Sequence, residues 1–309
     1  MDNAIEITGL NKTYPGSSKE PEKQALIDVD LTIPKGSIFG LLGPNGAGKS
    51  TIINIMAGLT VKSAGSVKIW NLDIDKNPRN AKTAIGVVPQ EVNVDWFFTP
   101  RQTLDLQAGM YGVPKAERRT MEILETVGLA DKAGAYSRAL SGGMKRRLMI
   151  AKAMVHNPPI LVLDEPTAGV DVDLRRQLWD NVRALNARGV TILLTTHYLE
   201  EAEELCDRIA IINHGKVIVS EDKEKLLSRI DNKIIRFRLD QEVGDIPGSL
   251  EALCGKRDGP RSLVFYYSPG EQSVGEIIEK IQESGYGISD ISTEDSDLED
   301  VFLQLTRAA

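Results

Sequence analysis

The sequence has few cysteines, and neither is placed to form a metal or disulfide motif. Only two of its 309 residues are cysteine, Cys206 and Cys254. No second cysteine or histidine lies near either one at the spacing of a metal site. We therefore expect two reduced and mostly buried thiols, as in proteins of a reducing compartment.

Long hydrophobic runs are also missing. No apolar stretch approaches the roughly 18 to 20 residues of a membrane-spanning helix, and the longest runs, such as residues 160–163, have strand length. The first residues lack a basic segment followed by an apolar one, so we expect no signal peptide and a chain on the cytosolic side of any membrane it meets. Hydrophobic residues at 41% and charged residues at 26% are typical of a folded globular chain.

Basic tracts are absent as well. The chain has 37 lysines and arginines and 44 aspartates and glutamates, a net charge of −7. The two signs nearly balance up to residue 220, and the acidic excess lies in residues 221–309. This shift predicts a domain boundary near residue 220. An acidic chain without a basic tract also argues against nucleic acid as a partner.

Strand-like and helix-like patterns alternate along residues 1–220, which predicts an α/β core. The apolar run at residues 160–163 indicates a central parallel strand that is buried on both faces. A more polar helical pattern at about residues 91–157 predicts a helical subdomain inserted into this core. Residues 221–309 predict a small α+β extension with helices at residues 222–230 and 274–284 and strands at residues 233–239, 262–267 and 287–292.

A glycine-rich loop follows a predicted strand at residues 37–42. It matches the phosphate-loop pattern G-x-x-x-x-G-K-[ST] in its expected place between a strand and a helix. Its residues are Gly43, Pro44, Asn45, Gly46, Ala47, Gly48, Lys49, Ser50 and Thr51. Backbone N–H groups of such a loop surround an oxyanion, and the helix dipole adds to the attraction. We expect Lys49 to reach the β- and γ-phosphates of ATP and the Ser50 hydroxyl to bind Mg²⁺.

Two acids follow the apolar strand at residues 160–163. Asp164 would emerge at the carboxyl end of the sheet beside the phosphate loop, where it predicts a second Mg²⁺ contact. Glu165 is then the candidate base for the attacking water. Taken alone, two acids after a strand are more often a helix cap or a solvated turn; the phosphate loop favours the functional interpretation.

The segment Leu140-Ser141-Gly142-Gly143-Met144 resembles the LSGGQ signature of ATP-binding-cassette (ABC) ATPases, with Met144 where glutamine is usual. A serine and two glycines at a helix start form a second anion site. The resemblance implies a P-loop NTPase core of the RecA-like kind. It also implies a head-to-tail homodimer in which each ATP lies between one chain's phosphate loop and the other chain's Ser141, Gly142 and Gly143.

Four further residues match the family pattern. The resemblance implies that Tyr14 stacks on adenine, and that Gln90 senses Mg²⁺ and water and hinges the helical subdomain. It implies that Asp171 bridges the two protomers and that His197 holds the γ-phosphate against Glu165. For Tyr14 alone, an ordinary structural role is the simpler explanation.

Residues 197–202 and 298–302 resemble the ATPases of bacterial type-2 exporters, which serve drug and polysaccharide export. This resemblance implies a separate transmembrane permease and a peripheral location on the cytoplasmic face of the bacterial plasma membrane. An importer subunit remains an alternative. A DNA-repair or translation ATPase is a further one, but the 89 residues between Ser50 and Leu140 are too few for the long coiled coil of the repair enzymes. A nucleotide-binding module without hydrolysis is disfavoured by the complete set of motifs.

Two surface features leave alternatives open. Residues 96–98 (Trp-Phe-Phe) either pack inside the helical subdomain or line a cleft that receives a helix of the membrane partner. The acidic residues among 290–300 are most simply a solvated face, with a regulatory role as the alternative.

Overall fold

The computed structural model describes residues 2–16, 21–228, 233–244, 246–251, 253, 255–267, 272–294 and 298–307. These residues form two compact units, one up to Lys223 and one from Glu224. Cys254 and residues 295–297 lie outside the described residues, so the structure does not test the expectation of a buried thiol at position 254. No helix in the described ranges is long and apolar enough to span a membrane.

The first unit contains ten strands and seven helices among the residues described. Its first half has β1 (Asn3–Tyr14), β2 (Lys23–Pro34), β3 (Ile38–Leu42), α1 (Lys49–Met56), β4 (Ala64–Ile69), β5 (Leu72–Asp73), α2 (Pro78–Thr83) and β6 (Ile85–Val88). Its second half has α3 (Pro100–Met110), α4 (Thr120–Thr126), α5 (Gly142–Ala153), β7 (Ile160–Asp164), α6 (Val172–Ala187), β8 (Thr191–Thr196), α7 (Leu199–Leu205), β9 (Arg208–Asn213) and β10 (Lys216–Asp222).

A six-stranded sheet in the order β10-β9-β3-β8-β7-β6 forms the centre of this unit. Its strands are parallel from β9 to β6, and β10 is the antiparallel edge strand. The apolar residues of β7 are fully buried, as expected of a strand covered on both faces. Because the carboxyl ends of parallel strands meet at one edge, the segments after β3, β6, β7 and β8 come together there.

An antiparallel sheet in the order β2-β1-β4-β5 packs beside the central sheet. Both sheets share one hydrophobic core with α1, formed among others by Leu26, Phe39, Ile52 and Val162. Burial of these apolar surfaces is the main stabilisation of the unit. The phosphate-loop segment is therefore anchored in the core at both ends.

The segment between β6 and β7 is helical, as the sequence pattern predicts. It contains α3, α4, α5 and three short 3-10 turns. Thr99 begins α3 with a capping box, since its hydroxyl accepts from the backbone N–H of Gln102 and the Gln102 side chain accepts from the N–H of Thr99. This helical subdomain follows β6, and its last helix, α5, begins within the signature segment at residues 140–144.

The second unit is a small α+β fold. It has α8 (Lys223–Leu227), which starts at the division, then β11 (Lys233–Leu239), α9 (Gly248–Glu251), β12 (Gly255–Arg257), β13 (Ser262–Tyr267), α10 (Val274–Glu283), β14 (Ile288–Glu294) and α11 (Leu298–Arg307). The strands form an antiparallel sheet in the order β12-β13-β11-β14. Apolar residues of β11, β13 and α10 make its core. In the acidic segment at 290–300, Asp290 is exposed, whereas Leu298 is buried at the start of α11.

Candidate nucleotide-binding site

The glycine-rich loop connects β3 to α1 at the carboxyl edge of the central sheet. Gly46 and Gly48 have φ angles of 81° and 116°, which side chains rarely adopt. The Lys49 side chain is buried, and its ammonium donates to the carbonyl oxygens of Gly43 at 2.6 Å and Pro44 at 3.3 Å. Burial lowers the pKa of Lys49, and the nearby carboxylates partly oppose this shift.

Gly43 is required by close packing. A Cβ at this position would lie 2.3 Å from the carbonyl oxygen of Ile212, a backbone atom that cannot move away cheaply. We therefore expect Gly43→Ala to destabilise the fold by about 1–3 kcal/mol, as overpacking does elsewhere. Urea denaturation measures this. Gly142→Ala is the matched control, because its added methyl group meets no atom within 4 Å apart from its chain neighbours and the backbone of its own helix. Equal destabilisation by both variants would contradict the packing argument.

Glu165 lies just after β7 and is nearly fully buried. Its φ angle of 46° is in the left-handed region, and its N–H donates to the carbonyl oxygen of Thr195 at 3.0 Å. The Gln90 amide donates to its Oε2 at 2.9 Å. Its Oε1 lies 3.2 Å from His197 Nδ1 and 3.9 Å from Lys49 Nζ. Three residues singled out from the sequence therefore meet at the carboxylate of a fourth, Glu165.

Oxygen ligands suited to Mg²⁺ lie in the same region. Asp164 ends β7, and its Oδ1 accepts from the Thr195 hydroxyl at 2.5 Å. Ser50 is exposed in the first turn of α1, and the Gln90 side chain reaches Glu165. Hydroxyl, amide and carboxylate oxygens, together with phosphate, are the ligands that Mg²⁺ prefers. The donor set of Ser50, Gln90 and Asp164 thus fits this ion.

A cavity of about 440 Å³ lies over the loop. It is lined by loop residues 45–51 and by Tyr14, Gln90 and Glu165, with Pro15, Pro21, Lys23 and Ala25. Tyr14 is the last residue of β1, and the Lys12 ammonium lies 4.7 Å from its ring centroid. A cavity lined by both an aromatic ring and a phosphate cradle suits a nucleotide.

The structure does not bring the signature residues to this cavity within the described chain. Ser141 caps α5, its hydroxyl accepting from the N–H of Met144 at 3.3 Å, and Gly142 is exposed beside it. Gly143 is buried, and a Cβ there would lie 2.3 Å from the Leu174 side chain. Asp171 caps α6 by accepting from the N–H of Leu174 at 2.9 Å.

Some polar residues around the site are not evident from the sequence. Thr195 bonds both Asp164 and Glu165, and its only signal is its place at the end of a buried strand. Arg146 is buried against Gln90 and Glu165. The run of basic residues at 145–147 instead suggests a solvated surface, and nothing in the sequence distinguishes Arg146 from its neighbours.

Comparison with known proteins places this geometry in a family. The family model "ABC transporter" matches residues 26–168. The daunorubicin/doxorubicin resistance ATP-binding protein DrrA of Streptomyces peucetius is 37% identical, over 98% of this chain and 92% of its own length. Nod factor export ATP-binding protein I of Rhizobium meliloti is 38% identical, over 98% of this chain and 88% of its own. The chain belongs to the ATP-binding subunits of ABC transporters.

A solved ABC cassette gives the structural counterpart. The dimeric structure of an ATP-binding cassette in a post-hydrolysis state, bound to ADP and Pi, superposes with a TM-score of 0.63. It is 28% identical and covers 71% of this chain and 98% of its own. The predicted P-loop NTPase fold is confirmed, as is the resemblance to ABC ATPases. This ABC subunit binds ATP and is an ATPase.

Proposed function

We propose that this ABC subunit hydrolyses MgATP to drive export through a separate transmembrane permease. The observation that carries the proposal is the convergence of Gln90, His197 and Lys49 on the buried carboxylate of Glu165. A buried base contacted by Gln90 and His197, and close to the Lys49 ammonium of the phosphate loop, is suited to orienting a water molecule. The close similarity to two export or resistance ATP-binding proteins supports export as the direction.

The roles of the side chains follow from their chemistry. Ser50, Asp164 and Gln90 would hold Mg²⁺, which supplies charge neutralisation at the phosphates. The glycine loop and Lys49 would bind the β- and γ-phosphates, and Tyr14 would stack on adenine. Glu165 would accept a proton from the attacking water. His197, 3.2 Å from Glu165, would hold the γ-phosphate against it.

We propose further that two copies form a head-to-tail homodimer. Ser141 and Asp171 lie at the starts of helices outside the cavity of their own chain. A helix start with a serine hydroxyl and an exposed glycine is an anion site that a second chain's nucleotide can fill. Each ATP would then lie between the phosphate loop of one chain and the signature of its partner.

The domain division proposed from the charge pattern assigns residues 1–220 to nucleotide chemistry, with a helical subdomain at about 91–157. Every residue given a role above lies in that part. Residues 221–309 would be an accessory domain, and the two relatives cover this part too, since each matches 98% of the chain. We place the subunit on the cytoplasmic face of the bacterial plasma membrane, peripherally and through its permease, with no nucleic acid as partner.

An exposed apolar surface supports the membrane partner. Trp96 and Phe97 expose 65% and 78% of their surface, so packing in the interior of the subdomain is excluded for these two rings. A groove of about 300 Å³ lined by Leu59, Ile85, Val87, Pro89 and Tyr111 belongs to the same unit. Exposed large aromatics mark interaction surfaces. We therefore favour the cleft-wall interpretation of residues 96–98.

This interpretation predicts a selective loss of partner binding. The chain with Trp96→Ser and Phe97→Ser should bind vesicles containing the permease at least about tenfold more weakly, because aromatic anchors dominate interface energies. Its ATPase rate in solution should stay unchanged. The permease is sought as the product of a neighbouring gene with about six apolar segments of some 20 residues, and binding is measured by co-sedimentation.

Ile291→Ser is the control for this experiment, since Ile291 is an exposed apolar residue of the second unit. It should leave binding to permease vesicles intact. If the double variant binds permease vesicles as strongly as the parent chain, the interpretation of residues 96–98 as a cleft wall is wrong. Absence of ATP-stimulated transport with the parent chain would contradict the export function itself.

A further inference from the structure

The Arg146 guanidinium is buried against backbone carbonyl groups of the nucleotide-binding site. Only 4% of its surface is exposed. Its Nη1 donates to the carbonyl oxygens of Gln90 and, at 3.3 Å, of Pro89. Its Nη2 lies 3.5 Å from the carbonyl oxygen of Glu165. One guanidinium thus holds the backbone of the two residues whose side chains meet at 2.9 Å.

The geometry of these contacts requires arginine. Its planar fork offers five N–H donors in fixed directions, whereas lysine offers one compact ammonium. None of the hydrogen bonds described for Arg146 reaches the glycine loop at residues 43–51. Arg146 is therefore placed to affect the Gln90–Glu165 pair without affecting the phosphate cradle.

Glu201 is a buried carboxylate whose negative charge acts on Arg146. Glu201 is 1% exposed, and the Trp179 indole donates to its Oε1 at 3.1 Å. Burial lowers the pKa of Arg146, and the negative charge of Glu201 opposes that shift. Burial raises the pKa of Glu201, and the hydrogen bond from the Trp179 indole is among the contacts that oppose this shift.

We propose that Arg146 is a positioning residue that makes the geometry of the Gln90–Glu165 pair depend on the orientation of α5. The proposal rests on the proposed function, in which Gln90 and Glu165 act on Mg²⁺ and water. Ser141 begins α5 five residues earlier and would face the partner chain's ATP. Engagement of that ATP would thus be transmitted through Arg146 to the chain's own Glu165, which connects the two ATP sites of the dimer.

The test compares turnover with nucleotide binding in Arg146→Met. Its kcat should fall roughly 10- to 100-fold, because a shift of about 1 Å in a reacting group has that effect. The Kd for a fluorescent ATP analogue should stay within about twofold, since only steps after binding are affected. Arg146→Lys, which keeps the positive charge but not the planar fork, should have an intermediate kcat and also serves if the methionine variant does not fold.

Arg147→Gln is the matched control on the same helix. Arg147 donates through Nη1 to the carbonyl oxygens of Val127 and Gly128, both at 3.1 Å, and to no carbonyl of the Gln90–Glu165 pair. It should keep the kcat of the parent chain. A kcat for Arg146→Met and Arg146→Lys equal to that of Arg147→Gln would overturn the proposal.

A double-mutant cycle separates positioning from general destabilisation. In a Gln90→Ala background, Arg146→Met should lower kcat by less than about twofold, because the pair that it positions is already lost. Full additivity of the two effects would overturn the proposal. A parent chain that does not hydrolyse ATP would instead contradict the proposed function, so the two failures are distinguishable.

Discussion

Replacing Glu165 with glutamine is expected to lower ATP hydrolysis by about 10²- to 10⁴-fold while ATP binding is retained. The amide keeps the size of the side chain and its contact with Gln90, which donates to Oε2 at 2.9 Å. It removes the negative charge near His197 and Lys49, and it cannot accept a proton from water. Phosphate release and binding of a fluorescent ATP analogue measure the two properties separately.

The ATP-bound variant should also accumulate as a dimer in size-exclusion chromatography, because the ATP that holds the two chains together is no longer hydrolysed. Glu200→Gln is the control: this carboxylate is 75% exposed and pairs with Arg175 at 3.3 Å. It should hydrolyse ATP normally, and chelation of Mg²⁺ should stop hydrolysis in both control and parent. Hydrolysis by Glu165→Gln at the parent rate, in a preparation free of contaminating ATPase, would show that Glu165 is not the base.

Mixing two inactive chains should restore activity. Lys49→Ala removes the phosphate contact, and Ser141→Arg blocks the signature, so each homodimer should be inactive. In a mixed dimer, one site pairs the intact Lys49 of one chain with the intact Ser141 of the other. In a two-fold arrangement half the dimers are mixed, and each has one intact site of two, so about one quarter of the parent activity is expected.

This result depends on the arrangement in space rather than on the chemistry of either residue. The structure supports it, since Ser141 does not line the cavity that contains Lys49 in the described part of the chain. Mixed dimers are verified by affinity tags of two kinds. Recovery of no activity in verified mixed dimers would contradict the head-to-tail arrangement. Loss of dimerisation in either variant is detected by the same tags.

Much of the fold could be predicted because its signals are local. Residues 160–163 form a buried strand, and the glycine loop lies between a strand and a helix as the motif requires. The convergence of Gln90, Glu165 and His197 also follows from order along the chain, because each comes after a parallel strand of one sheet. The motifs and the sheet topology therefore both place the candidate site at the carboxyl edge of the central sheet.

The features that were missed are short or depend on tertiary packing. The helix α2 and the strand β12 have six and three residues, too few to show a periodic pattern. The extension of β1 to Tyr14 depends on its pairing with β2, which continues to Lys23 through several register shifts. Burial of Arg146 depends on contacts with segments 56 and 19 residues away, which no local pattern encodes.

The left-handed backbone at Glu165 sets stability and activity against each other. A residue with a side chain at a φ of 46° stores about 1–2 kcal/mol of strain that glycine would not. Relief of this strain alone would favour glycine at position 165 and discard the carboxylate. A library designed to make this subunit more stable should keep the codon for Glu165 fixed. Its stabilising substitutions should be sought at sites remote from the carboxyl edge of the central sheet.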